Sequence, residues 1–212
     1  MTVTRAIGLV FNKVILLIVR ALALSRIHPN VLTFIGLLIN MVAAWLLAMG
    51  QFRWAGGVII GAGLFDMVDG RVARETNRVT RFGGFFDSVL DRYSDVALLI
   101  GLLVWYGSIN RPFYVVLTAI AMAASVMISY TRARAENSIP MCKVGFLERP
   151  ERIVLVIIGA LFYRMAPVLW VLAVVGNWTV VHRMIFTWQE AKRLEEAQLT
   201  PAGGAVTRAA AK

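Results

Sequence analysis

Long apolar runs recur along this chain, interrupted only by short polar segments, and that pattern decides the solvent before it decides the fold. Six runs stand out, near 31–50, 54–74, 84–107, 112–133, 151–165 and 167–187. A helix of roughly 20 apolar residues crosses a bilayer core about 30 Å thick. The fifth run is short and needs residues on either side to complete a crossing. The breaks carry turn and helix-start chemistry: His28-Pro29-Asn30, Asn110-Arg111-Pro112, Pro150 and Pro167. Apolar residues make up 59% of the chain and charged residues 16%, against about 45–50% and about 25% in soluble domains. With a mean hydropathy of +0.72, too little polar surface remains to coat a water-soluble globule. The expectation is an all-α integral membrane protein with six transmembrane helices.

Residues 5–26 are apolar enough to span, yet Arg5, Asn12, Lys13, Arg20 and Arg26 interrupt them. At about 100° per residue these five share an arc of roughly 140°. One polar stripe on an apolar cylinder is the pattern of a helix lying in the interface plane. No small-residue cleavage site separates it from His28-Pro29-Asn30, so it reads as retained rather than as a cleaved leader. The expected organisation is an amphipathic interfacial helix over 1–29, a six-helix transmembrane domain over 30–190 and a cytoplasmic tail over 191–212. From about Leu199 the tail, with Pro201, Gly203 and Gly204, loses apolar periodicity and reads as disordered at its end.

Lys and Arg number 22 against 12 Asp and Glu, a net charge of +10. In a membrane chain that excess points to ends facing anionic lipid or to a pocket for phosphate groups, and not to nucleic acid. With six crossings and the N-terminus inside, 19 basic residues fall on the inner side, leaving Arg53, Arg111 and Arg164 outside. This is the positive-inside bias. It predicts a multi-pass protein of the cell membrane with both termini cytoplasmic. The single cysteine, Cys142, excludes an internal disulfide framework and a cysteine cage for metal.

All five aspartates lie between 66 and 95, in or beside the second and third runs. A carboxylate at the bilayer centre costs about 2.5–3.5 kcal/mol on insertion scales, which a purely structural role could avoid. Asp66 and Asp69 are i,i+3 on one helix face; Asp87, Asp91 and Asp95 are i,i+4 and i,i+8 on another. Two helices each offering carboxylates make a cage of hard oxygens. Such a cage suits Mg²⁺ or Mn²⁺ rather than Zn²⁺ or copper, because no His or Cys lies in the stretch. The competing explanation is a set of ion pairs with Arg71, Arg74, Arg78, Arg81 and Arg92.

The full string is Asp66-x2-Asp69-Gly70-x2-Ala73-Arg74-x8-Gly83-x3-Asp87-x3-Asp91. It resembles the signature of the CDP-alcohol phosphotransferase family at every fixed position, and the six spans with an interfacial helix match that family's architecture. The resemblance implies that Asp66, Asp69 and Asp87 hold a pair of divalent ions and that Asp91 is the general base, with a share in the metal site. The reaction it implies moves a phosphatidyl group from CDP-diacylglycerol, or a similar CDP-lipid, to a polar alcohol, releasing CMP. Beside those roles each position has a physical reason. Gly70 and Ala73 keep a helix face shallow enough for a nucleotide, with Asp69 beside them. Arg74 suits either the diphosphate or a carboxylate. Asn30 and Thr33, in His28-Pro29-Asn30-x2-Thr33, resemble the family's cytidine contacts, although Asn30 equally suits an N-cap or turn. Asp95 lies outside the signature and reads as a satisfied polar residue. A homodimer is also implied by the resemblance alone.

A second cluster bears on the acceptor. Arg132-x-Arg134-Ala135-Glu136 closes the fourth run, Glu148-Arg149-Pro150-Glu151-Arg152 opens the fifth, Lys143 lies between, and Arg183 comes late in the sixth. Six cations at the inner mouth suit a phosphate monoester, or serve as ordinary positive-inside flanking. The two strings resemble the inositol-phosphate-using branch of the family, the phosphatidylinositol-phosphate synthases. That resemblance implies a phosphate grip by Arg132, Arg134, Arg149, Arg152 and Arg183; glycerophosphate is the alternative acceptor. An intramembrane prenyltransferase would need a second Asp-rich motif, and no Asp follows residue 95. A non-enzymatic cation transporter would spread its acidic groups along a path instead of clustering them beside arginines.

Overall fold

A computed structural model describes residues 28–75, 80–142 and 144–199, with the backbone alone at 67–75 and 198–199. The interfacial helix expected before residue 28, Lys143 and the tail beyond 199 lie outside the described residues. The described chain forms six helices: α1 (Pro29–Ala48), α2 (Phe52–Glu75), α3 (Arg81–Ser108), α4 (Pro112–Ala135), α5 (Arg149–Leu161) and α6 (Met165–Leu199).

Local chemistry starts these helices where the sequence predicts. Pro29, Pro112 and Pro150 occupy first turns, where a missing N–H is harmless and φ is already helical. His28, not Asn30, caps α1: the Asn30 N–H donates to His28 Nδ1 at 3.2 Å. Thr80 caps α3, its Oγ1 accepting from the Gly83 N–H at 2.9 Å. The sixth helix is longer than its apolar run, extending 35 residues to Leu199 instead of stopping near 187. Residues 188–199 are polar but rich in Glu, Ala, Lys, Arg and Leu, strong helix formers. Lys192–Glu196 and Arg193–Glu190 add ion pairs on the exposed surface. Hydropathy ends there; helix propensity does not.

Three helices are long and apolar enough to cross a membrane: Pro29–Ala48, Pro112–Ala135 and Met165–Ala197. The other three fall short for visible reasons. The helices α2 and α3 carry Arg53, Asp66 and Asp69, and Asp87, Asp91, Arg92 and Asp95, within their lengths. The 13 residues of α5 rise only about 20 Å.

The packed pairs close into a ring: α1 on α2 and α3, α2 on α5, α5 on α6, α6 on α4, and α4 on α3. One continuous apolar core draws on all six helices, including Ala43, Leu47, Ile59, Leu98, Leu102, Ala121, Ala160, Leu169 and Leu172. Large apolar side chains also point outward, among them Leu38, Trp45, Val116, Trp170, Val174 and Trp178. A surface this apolar is stable against lipid and not against water.

The α1–α3 contact depends on Gly101, where an added Cβ would drive into the backbone carbonyl of Ala44. Backbone cannot yield as a side chain can. Gly101→Ala is expected to lower the Tm of the detergent-solubilised protein, by about 2 kcal/mol or more in stability. Gly57→Ala, whose Cβ meets nothing within 4 Å, leaves it in place. Equal behaviour of the two variants would contradict the close contact.

Candidate active site

Because α2 and α3 both pack on α1, the late turns of α2 and the early turns of α3 meet at one end of the bundle. Asp66 of α2 and Asp87 and Asp91 of α3 converge there, each offering an oxygen within 4.8 Å of the others. Asp69, Gly70, Ala73 and Arg74 continue α2 just beyond Asp66; their side chains lie outside the description. Two unit charges about 4 Å apart repel by about 4 kcal/mol at an effective dielectric of about 20, so the cluster, when ionised, favours a cation among its oxygens. An all-oxygen donor set of this kind fits Mg²⁺ or Mn²⁺.

Among the described residues, the cation paired with these carboxylates is Arg149, the first residue of α5. Its Nη1 donates to Asp66 Oδ2 at 2.6 Å and lies 2.8 Å from Asp91 Oδ1. Its Nε faces Asp95 Oδ1 at 3.6 Å, too far for a hydrogen bond, and both atoms are buried without a partner. This pairing comes from another helix and not from the local arginines that the sequence weighed against a metal site, of which Arg71, Arg74 and Arg78 lie outside the described side chains.

One turn deeper, Asp95 and Arg152 form a buried pair, 7% and 5% exposed. Arg152 Nη2 donates to Asp95 Oδ2 at 2.6 Å and Nη1 to the Leu147 carbonyl at 3.0 Å. Ser125 Oγ of α4 donates to the same carboxylate oxygen at 3.5 Å. Asp95, expected to be a satisfied polar residue, is satisfied at Oδ2 alone, its Oδ1 having no hydrogen-bond partner, and it ties α3 to α5. Arg183, 1% exposed, donates from Nε to the Val144 carbonyl at 2.8 Å and from Nη1 to the Ile128 carbonyl at 2.5 Å. Gly145 makes room for it: its φ is +122°, and a Cβ there would meet Thr179 and the Arg183 guanidinium.

A cavity of about 390 Å³ opens beside the carboxylates, between α3, α4, α5 and α6. Arg132, Arg149, Arg152 and Arg183 all line it. Arg134 is exposed and does not. Arg132 is the accessible one, held by Glu148 at 2.9 Å and Glu136 at 3.2 Å. Ser88, Arg92 and Ser129 also line the cavity without having been given a role there by the sequence, beside Glu148 of the second cluster. Ser88 and Arg92 were detectable in principle, each being one residue beyond a signature aspartate on α3. On the far side of Arg149, an apolar groove of about 320 Å³ runs along α2 and α5, with Asp66 and Arg149 at its polar end. Asn30 sits near Gly83, its Oδ1 3.4 Å from where a Cβ there would be. Thr33 is buried and donates to its own helix at the Pro29 carbonyl.

Residues 26–189 match the family described as CDP-alcohol phosphatidyltransferase. The chain belongs to that family. This CDP-alcohol phosphatidyltransferase is accordingly an enzyme of phospholipid biosynthesis and a membrane protein. It is 37% identical over 168 residues to the archaetidylinositol phosphate synthase of Methanothermobacter thermautotrophicus, covering 76% of this chain and 83% of that one. To the phosphatidylinositol phosphate synthase of Mycobacteroides abscessus it is 37% identical over 186 residues, covering 82% and 83%. Among solved structures, the phosphatidylinositol phosphate synthase of Mycobacterium tuberculosis with CDP-DAG bound aligns with a TM-score of 0.78 at 35% identity, covering 83% of this chain and 94% of that one. The same protein in complex with manganese and citrate aligns at 0.74 and 36% identity, covering 81% and 87%.

Removing one member of a buried ion pair costs about 3–5 kcal/mol, because the other is left uncompensated. Arg152→Ala is expected to lower Tm accordingly, and the double replacement Arg152→Met with Asp95→Asn to recover most of the loss. A double variant no more stable than the single would show that the two residues act independently.

Proposed function

We propose that this enzyme transfers a phosphatidyl group from CDP-diacylglycerol, or a similar CDP-lipid, to inositol phosphate, releasing CMP. One observation carries the reading: a carboxylate cluster fit for divalent metal stands against a cavity lined by arginines. The first is what a diphosphate donor requires, the second what a phosphorylated acceptor requires. The names of the relatives share the inositol phosphate part and differ in the lipid part, at the same identity.

In this reading Asp66, Asp69 and Asp87, with Asp91, hold Mg²⁺ or Mn²⁺ as a pair of ions. A divalent ion there neutralises the donor diphosphate and stabilises the departing CMP. Asp91 takes the proton from the acceptor hydroxyl as that oxygen bonds to the lipid-linked phosphorus and the bond to CMP breaks. A carboxylate is a weak base, so holding the acceptor in line supplies much of the rate. Arg132 is the accessible guanidinium for the acceptor's phosphate, with Arg149 beside it and Arg134 and Lys143 at the mouth. Arg152 and Arg183 act chiefly by position, since Arg152 gives Nη1 and Nη2 to the Leu147 carbonyl and Asp95 and Arg183 gives Nε and Nη1 to backbone carbonyls. The apolar groove beside Asp66 suits lipid chains, and Asn30, Thr33, Gly70, Ala73 and Arg74 stand as the nucleotide side.

The same proposal places the site at the cytoplasmic face of the cell membrane, with six crossings, both termini inside and a homodimer as the working unit. The distribution of basic residues supports the orientation. The short α5 is sheltered by α2 and α6, which pack on it.

Purified protein with CDP-diacylglycerol and Mg²⁺ or Mn²⁺ is expected to release CMP fastest with inositol phosphate. Glycerol phosphate, serine and free inositol serve as the other arms, and faster release with any of them overturns the acceptor assignment. Asp66→Asn, Asp69→Asn or Asp87→Asn, or excess chelator, is expected to abolish turnover. Asp91→Asn keeps CDP-lipid binding while kcat falls at least 100-fold. Arg132→Ala raises KM for inositol phosphate about ten-fold and leaves that for CDP-diacylglycerol within two-fold; equal effects on both would remove Arg132 from the acceptor side.

A further inference from the structure

We propose that Arg149 is an exchangeable internal cation. It neutralises the carboxylate cluster while the metal site is empty; when a divalent ion binds, its guanidinium turns into the arginine-lined cavity and receives the acceptor's phosphate. The inference rests on the catalytic reading above and adds an order of events to it.

Three observations carry it. First, Arg149 Nη1 bridges Asp66 and Asp91, at 2.6 and 2.8 Å, and these carboxylates with Asp87 are the donor set. A guanidinium and a metal ion compete for the same oxygens.

Second, the guanidinium is held by one nitrogen instead of a two-nitrogen fork. Forked pairing is the stronger arrangement. Here Nε has no hydrogen-bond partner, and neither does Asp95 Oδ1, buried 3.6 Å away. Arg152, by contrast, is spent on Asp95 and the Leu147 carbonyl. The Arg152 Nε is also without a partner, but its side chain is 6% exposed against 27% for Arg149, so of the two arginines on this turn of α5, Arg149 is the one with room to move.

Third, Arg149 lines both spaces, the apolar groove that ends at Asp66 and the cavity that holds Arg132 and Arg183. Rotation about its own side-chain bonds moves it between them without moving α5. Arg132 and Arg183 already share the cavity with Glu148 as their counter-charge, at 2.9 and 3.6 Å. Arg92 and Arg152 line the cavity too, against the carboxylates of Glu136 and Glu148, so a further guanidinium turned inward calls for another anion, which the phosphate supplies. Metal binding therefore strengthens phosphate binding, and by linkage the reverse holds to the same factor.

The test uses the full chain in detergent, with Mn²⁺ and inorganic phosphate as probes, read by titration calorimetry. Arg149→Gln is expected to bind Mn²⁺ about ten-fold more tightly than wild type. Its Tm is lower in chelator and rises further on adding Mn²⁺. In wild type, Mn²⁺ is expected to tighten phosphate binding about five-fold or more, and by several-fold less in the variant. Should Arg149→Gln not be recovered folded, Arg149→Lys carries the same test, because a compact ammonium bridges the two carboxylates less well and Mn²⁺ binding still tightens. Mn²⁺ affinity unchanged or weakened in the variant overturns the exchange while leaving the catalytic reading intact. No Mn²⁺ binding to wild type overturns the catalytic reading itself.

Discussion

Carboxylates crowded into the end of an apolar bundle repel one another and lose water, so their arrangement persists only with positive charge among them. Asp66, Asp87 and Asp91 meet this constraint through Arg149. The rest of the site follows from it. The ring of helices brings α2 and α3 together on α1 and lets α5 deliver a guanidinium from the opposite side. The buried Asp95–Arg152 pair fixes α5 at the depth where that delivery works. A site built this way has its cation position shaped before any ion enters.

The arginines divide by depth. Arg183 and Arg152 are buried and committed to backbone or to Asp95, holding the walls of the cavity. Arg132 is accessible, and its partners Glu136 and Glu148 are themselves partly exposed. Exposed ion pairs contribute little to stability, so the exchange of Glu148 for a phosphate that the proposed function asks of Arg132 comes at small cost. Opposite charges thus occupy both halves of the site in the chain alone, arginine among the carboxylates and glutamate among the arginines. The adjacent residues Glu148 and Arg149 supply them.

Much of this was legible in the sequence. The six helices follow the apolar runs, and prolines mark the starts of α1, α4 and α5 because a proline N–H is not needed there. The carboxylate cluster was readable from i,i+4 spacing on α3 and its counterpart on α2. The end of α6 was not, because hydropathy stops at the membrane surface while helix-forming residues carry on. The place of Arg149 was not either: it lies 83 residues from Asp66 along the chain, and no local pattern encodes a contact made by α5 closing the ring. Charge counting reports the side of the membrane on which a residue falls and nothing of its depth. All of Arg132, Arg152 and Arg183 line the cavity, but the sequence does not show that Arg152 and Arg183 are buried while Arg132 is accessible.

The central claim is that carboxylates from two helices form one divalent-cation site. Anomalous diffraction from crystals grown with Mn²⁺ tests it most directly. The account requires a manganese peak enclosed by Asp66, Asp87 and Asp91, lost in Asp87→Asn. A peak elsewhere in the protein, with those three carboxylates still paired only to arginine at saturating Mn²⁺, would contradict it.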